Sequence, residues 1–148
     1  MDHGFTLRFI EIMPIGSAGS EASKHFLDLR EIRDRLNERY DLVPAVLPGG
    51  GPARYLKTSD DRLHIGFITP ISQHFCETCN RVRLAADGTL FPCLGRANQY
   101  PLRPLLRDGN SDVEIEKAIL EAIAKKPQKH DFRENPGNLN RFMSRTGG

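Results

Sequence analysis

Apolar residues occupy both faces of the stretch Phe5 to Met13 (FTLRFIEIM), broken by the charged Arg8 and Glu11. A short run of this kind reads as a strand of a parallel α/β sheet, which makes the two charges costly occupants of it. Pro14 to Gly19 follows as a loop, and Ser20 with Glu21 opens a helix on which Ala22, Phe26, Leu29, Leu36 and Tyr40 recur at helical spacing. Residues 1–40 thus make one β/α unit. Its strand needs neighbours on both edges to complete the ladder, so the unit reads as the terminal piece of something larger, with an exposed edge that invites pairing.

Beyond Tyr40 the pattern changes. Val43 to Leu47, Ala53 to Thr58 and Leu63 to Thr69 are short strands separated by the Pro48-Gly49-Gly50-Gly51-Pro52 and Ser59-Asp60-Asp61 turns, as in a small, mainly antiparallel sheet. Arg81 to Pro92 reads as a hairpin about Ala86-Asp87-Gly88. Alternation puts Cys79, Arg81 and Arg83 on one face and Val82 and Leu84 on the other. A two-residue Asp87-Gly88 turn would set Cys93 opposite Val82. A three-residue loop ending in a glycine bulge sets it opposite Arg81, and this form, with Gly88 at positive φ, is expected. Pro104 to Arg107 makes one helical turn ended by Gly109. Ser111 to Glu114 matches a capping box for a helix bearing Ile115, Ile119, Ala122 and Ile123 and closing at Lys125-Lys126-Pro127. The fold class is therefore α/β in residues 1–40 followed by α+β in residues 41–127, with residues 128–148 a polar extended tail ending in Gly-Gly.

Composition narrows the functional classes. The chain has 148 residues, only 39% apolar and without Trp, so its core is expected to be thin. A net charge of +2 provides no polybasic surface, so neither nucleic acid nor an anionic membrane is an expected partner. No apolar run approaches the ~20 residues that span a bilayer, and Met1-Asp2-His3-Gly4 lacks the features of a signal peptide. A soluble, cytoplasmic protein is expected.

The candidate chemistry lies in three cysteines, Cys76, Cys79 and Cys93, spaced C-x2-C-x13-C. Their odd number and close spacing suit metal ligation in a reducing compartment better than disulfides. Three thiolates leave one coordination position open. The set fits a zinc site completed by His74, His64 or His130, an iron–sulfur cluster with one iron free, or unmetallated thiols. Arg81 and Arg83, on the face of Cys79, suit bidentate capture of a phosphate and would offset thiolate charge. On spacing alone Met13 is a core methionine and Gly147-Gly148 a frayed end, although Phe142-Met143 could dock that end.

Several runs taken together resemble a known family. They are Arg8 to Pro14 (RFIEIMP), Gly51 to Tyr55 (GPARY), Gly66 to Pro70 (GFITP), Phe75 to Leu84 (FCETCNRVRL), Ala86-Asp87-Gly88, Pro92-Cys93-Leu94 and Met143 to Gly148 (MSRTGG). In this order they are similar to the C-terminal half of the GTP 3′,8-cyclases of molybdenum cofactor biosynthesis, which are radical S-adenosylmethionine enzymes. The resemblance runs through nearly the whole chain.

The resemblance implies an incomplete α/β barrel ending in residues 1–40, and a second-cluster and GTP-binding domain over 41–127. A first 4Fe-4S cluster, on a C-x3-C-x2-C motif of the N-terminal half, cleaves S-adenosylmethionine to a radical that takes the 3′ hydrogen of GTP. C3′ then bonds to C8, giving 3′,8-cyclo-7,8-dihydro-GTP. By the same resemblance Cys76, Cys79 and Cys93 hold a second 4Fe-4S cluster whose open iron binds the guanine, and Arg81, Val82 and Arg83 bind GTP. Met13 contacts S-adenosylmethionine, Arg8 faces the active site, and Gly147 and Gly148 insert into it to support catalysis. Implied partners are GTP, a separate N-terminal radical-generating half and, downstream, cyclic pyranopterin monophosphate synthase; self-association, where it occurs, is expected as a homodimer.

One departure outweighs the others: with three cysteines in all, the chain has no C-x3-C-x2-C. Alone it is expected to be inactive. Gly95 replaces a usual bulky apolar residue, Pro104 a usual acidic one, Gln73-His74 a turn pair more often containing Asp-Pro, and Thr146 a frequent apolar residue. The rival from another class is a stand-alone three-cysteine zinc or iron–sulfur binding module without catalysis.

Overall fold

In the computed structural model, which describes residues 5–134, 139 and 141–146, the opening apolar run forms strand β1 (Thr6–Ile10). The chain divides into two compact units, one of Met1–Met13 with Ser23–Phe75 and one of Pro14–Ala22 with Cys76–Gly148. The expected loop at Pro14–Gly19 followed by a single helix from Ser20 is instead two helices: α1 (Gly16–Ala22), which takes up most of that loop, in the second unit, and α2 (Leu29–Arg39) in the first. The break falls at Asp28, whose carboxylate caps α2 by accepting from the Arg30 amide at 2.9 Å. Apolar spacing runs on across 22–29 and hides this stop.

The first unit is a mixed four-stranded sheet flanked by α2. Its remaining strands are β2 (Leu42–Ala45), β3 (Arg54–Thr58) and β4 (His64–Ile68), in the order β1-β4-β3-β2. β1 runs parallel to β4, from Thr6 opposite His64 to Ile10 opposite Ile68, and the other two pairings are antiparallel. Pro44 is tolerated in β2 because that strand is at the sheet edge. Leu29, Ile65 and Phe67 are the buried centre, with Phe9, Ile32, Leu36 and Leu56 packed against them, and the Phe9 and Phe67 rings stack at 5.7 Å.

β1 corrects the expectation of a strand buried on both faces. It is an edge strand, and Phe5, Leu7 and Ile10 are 82%, 50% and 56% exposed. Glu11, by contrast, is buried and fully employed. Its backbone amide continues the ladder to the Ile68 carbonyl, and its carboxylate accepts from the amides of Ile71 (2.8 Å) and Ser72 (2.9 Å) and from the Ser72 hydroxyl. A weaker contact of 3.5 Å reaches the Leu29 amide at the start of α2. The charge in the apolar run thus satisfies backbone donors that would otherwise be orphaned.

The second unit is built on a three-stranded antiparallel sheet of β5 (Arg83–Leu84), β6 (Thr89–Phe91) and β7 (Tyr100–Pro101). α3 (Arg103–Arg107) takes Pro104 in its first turn, where a missing N–H is harmless, and is followed by Gly109 at φ 75°. α4 (Asp112–Ala124) has the expected capping box, Ser111 and Glu114 bonding reciprocally. Leu90, Leu102 and Ala122 form the buried centre, joined by Tyr100, Leu105, Ala118 and Ile119. Together the units are α+β with one mixed and one antiparallel sheet. No helix among the described residues is long and apolar enough to cross a membrane.

Candidate metal and nucleotide site

The hairpin has the bulged loop that the sequence calls for. Arg83 pairs with Phe91 and Leu84 with Leu90, Ala85 donates to Thr89 (2.9 Å), and Gly88 at φ 82° closes the loop by donating to Ala85 (2.9 Å). A Cβ on Gly88 would also meet Arg103 at 2.8 Å. Extending this register outward by two residues sets Cys93 across from Arg81. On the other arm a single 3-10 turn over Cys76–Thr78 lets the Cys79 amide donate to the Cys76 carbonyl at 3.1 Å, folding the x2 spacing tightly. All three thiols are free and half-buried.

Neighbouring charge treats the thiols differently. Burial pushes the Cys76 thiol up; the His130 amide opposes this, while the Cys93, Glu77 and Cys79 charges reinforce it. Burial acts the same way on Cys79, but the Arg81 amide, the Lys126 ammonium and the Arg81 guanidinium, 4.0 Å from the sulfur, together bring it below the ordinary thiol value. Arg81 and Arg83 are half-buried while Val82 and Leu84 are 40% and 63% exposed, so the two arginines share the inner face.

Two cations that composition did not single out support these segments. Lys126, just past α4, donates to the carbonyls of Arg81 (2.8 Å) and Pro92 (2.5 Å). Arg141 donates through Nη2 to the carbonyls of Cys93 (3.2 Å), Leu94 (2.5 Å) and Arg96 (2.7 Å), with its guanidinium 4.8 Å from the Phe91 ring centroid. Burial lowers the Arg141 pKa, which the Cys93 charge opposes. Gly95 has its explanation here as well: a Cβ would lie 2.5 Å from His130 Cβ and 2.9 Å from Phe132 Cζ, so this pair fills the space of a bulky residue.

Arg8 and Met13 belong to the first unit. Arg8 Nε donates to the Tyr55 hydroxyl at 2.9 Å beside a cavity of about 140 Å³ lined also by Pro48, Gly49, Gly51 and Ile68. Gly66 leaves room for this pair, since a Cβ there would meet the Tyr55 ring at 2.8 Å. Met13 is half-buried. Gly147 and Gly148 lie outside the described residues. The turn before them, Met143–Thr146, is docked by Thr146, which is 1% exposed and donates to Met143 (3.0 Å), and by Arg145, which reaches Asp87 in the hairpin loop (3.1 Å). Phe142 does not take that part, being 72% exposed.

Among the described residues no three His, Cys, Asp or Glu side chains stand together as ligands of a metal ion. The fit is one of donor chemistry: three soft, free, half-buried thiols held by one turn and one hairpin register, with cations beside two of them.

The family described as Molybdenum Cofactor Synthesis C matches residues 5–132. Three proteins named GTP 3′,8-cyclase are among the relatives. That of Paracoccus denitrificans (strain Pd 1222) is 46% identical over 99% of this chain and 44% of its own length, and that of Agrobacterium fabrum 41% over 98% and 43%. That of Saccharophagus degradans is 40% identical over 100% and 46%. The chain therefore spans somewhat less than half the length of these curated relatives, matching their C-terminal part.

Proposed function

This chain belongs to the Molybdenum Cofactor Synthesis C family, and on that premise we propose that it is the GTP-binding half of a cytoplasmic GTP 3′,8-cyclase, completing the last unit of an incomplete barrel. Cys76, Cys79 and Cys93 would hold a 4Fe-4S cluster, which with three thiolate ligands leaves one iron to bind the guanine. Arg81 and Arg83 take the triphosphate by charge-assisted hydrogen bonds, and Val82 between them completes the binding segment. Arg8, whose Nε donates to the Tyr55 hydroxyl, takes part in catalysis. Met13 contacts S-adenosylmethionine, and Gly147 and Gly148, which lie outside the described residues, support catalysis. The radical comes from an N-terminal half bearing the first cluster, and the product passes towards a cyclic pyranopterin monophosphate synthase.

One observation carries this reading: a hairpin pairing Arg83 with Phe91, whose register extended outward by two residues brings Cys93 opposite Arg81, with Arg81 and Arg83 half-buried on one face. Removing both guanidiniums in an Arg81→Ala, Arg83→Ala chain loses two charge-assisted contacts, each worth about 1.5–3 kcal/mol. GTP affinity of the reconstituted chain, read by equilibrium dialysis, should fall by at least about 100-fold. Unchanged affinity would overturn the assignment of these arginines.

A further inference from the structure

We propose that Lys126 and Arg141 are positioning residues for the second cluster, each holding a cysteine-bearing segment by its backbone carbonyls and fixing a positive charge behind the thiolates. This rests on the ligand reading above. Lys126 bridges the two arms of the hairpin, from the Arg81 carbonyl to that of Pro92, the residue joined to Cys93. Arg141 gathers the next carbonyls, those of Cys93, Leu94 and Arg96, so the chain leaving Cys93 is wrapped around one guanidinium.

These donors are committed to backbone, and Arg141 is pinned on the Phe91 ring, its buried Nε–H without a hydrogen-bond partner among the described residues. Neither side chain is therefore placed to follow a phosphate, as Arg81 and Arg83 would. Their charges are held instead beside the cysteine-bearing segments, Lys126 between the Arg81 and Pro92 carbonyls and Arg141 on the Cys93 carbonyl. A 4Fe-4S cluster becomes more negative on reduction, so fixed cations behind its ligands stabilise the reduced form and raise the potential.

The test is an EPR-monitored redox titration of the anaerobically reconstituted full chain, with iron counted per chain. Lys126→Gln and Arg141→Gln, which keep a neutral donor, should bind iron and shift the potential to more negative values. Lys126→Arg and Arg141→Lys, which keep the charge, should hold the potential close to the wild-type value. Lys126→Met and Arg141→Met, lacking both charge and donor, should shift it at least as far and lose iron. Wild-type potentials in the Gln and Met variants would overturn the inference while leaving the ligand reading intact. An unsubstituted chain that takes up no iron would overturn the ligand reading and this inference with it.

Discussion

Reconstituted anaerobically with iron and sulfide, a Cys93→Ala chain should lose almost all of the iron that the unsubstituted chain holds. Cys76 and Cys79 sit together on one arm of the site, joined by a single turn, and Cys93 supplies the thiolate from the other. Without it two thiolates remain, too few to close three corners of a cubane. The loss should exceed the ~10- to 100-fold in metal affinity that removing an outer-shell partner costs. Iron and acid-labile sulfide per chain, with visible absorbance, measure it. Iron retained at the wild-type level would show that a further donor completes the site, and His130, whose amide reaches Cys76, is the residue to test first.

A Glu11→Ala chain should be destabilised by about 3–5 kcal/mol, read from the urea midpoint, a large part of the ~5–15 kcal/mol that holds a domain together. The deletion strips acceptors from the amides of Ile71 and Ser72 and from the Ser72 hydroxyl at a site 2% exposed to solvent. Glu11→Gln, which keeps one acceptor oxygen, should lose less. A change below about 1 kcal/mol in the Ala chain would mean that water replaces the carboxylate.

Glu11 also marks where sequence reasoning stops. Its burial among apolar residues was legible, but its partners lie sixty residues away, and no local pattern announces a loop that needs an acceptor. Lys126 and Arg141 were missed for the same reason. Both donate to carbonyls 34 to 48 residues distant, and a lysine after a helix reads equally well as a plain stop signal. The break at Asp28 was hidden because apolar spacing continues through it.

What was legible is what short-range chemistry dictates. Requiring Cys93 to share the face of Arg81 selected the three-residue Ala86-Asp87-Gly88 loop with Gly88 at positive φ, which the structure has. Ser111 and Glu114 fixed the start of α4. The open edge of β1 followed from a strand with too few neighbours. The Gly95 departure became intelligible only with the His130 and Phe132 side chains in place, a packing fact that spacing does not contain.

The most direct test mixes this chain, its cluster reconstituted, with a separately expressed N-terminal half bearing C-x3-C-x2-C, S-adenosylmethionine, a strong reductant and GTP, and measures 3′,8-cyclo-7,8-dihydro-GTP. Product from the mixture and none from either half alone is the expected result. No product from halves that both carry their clusters would contradict a role in split GTP cyclisation.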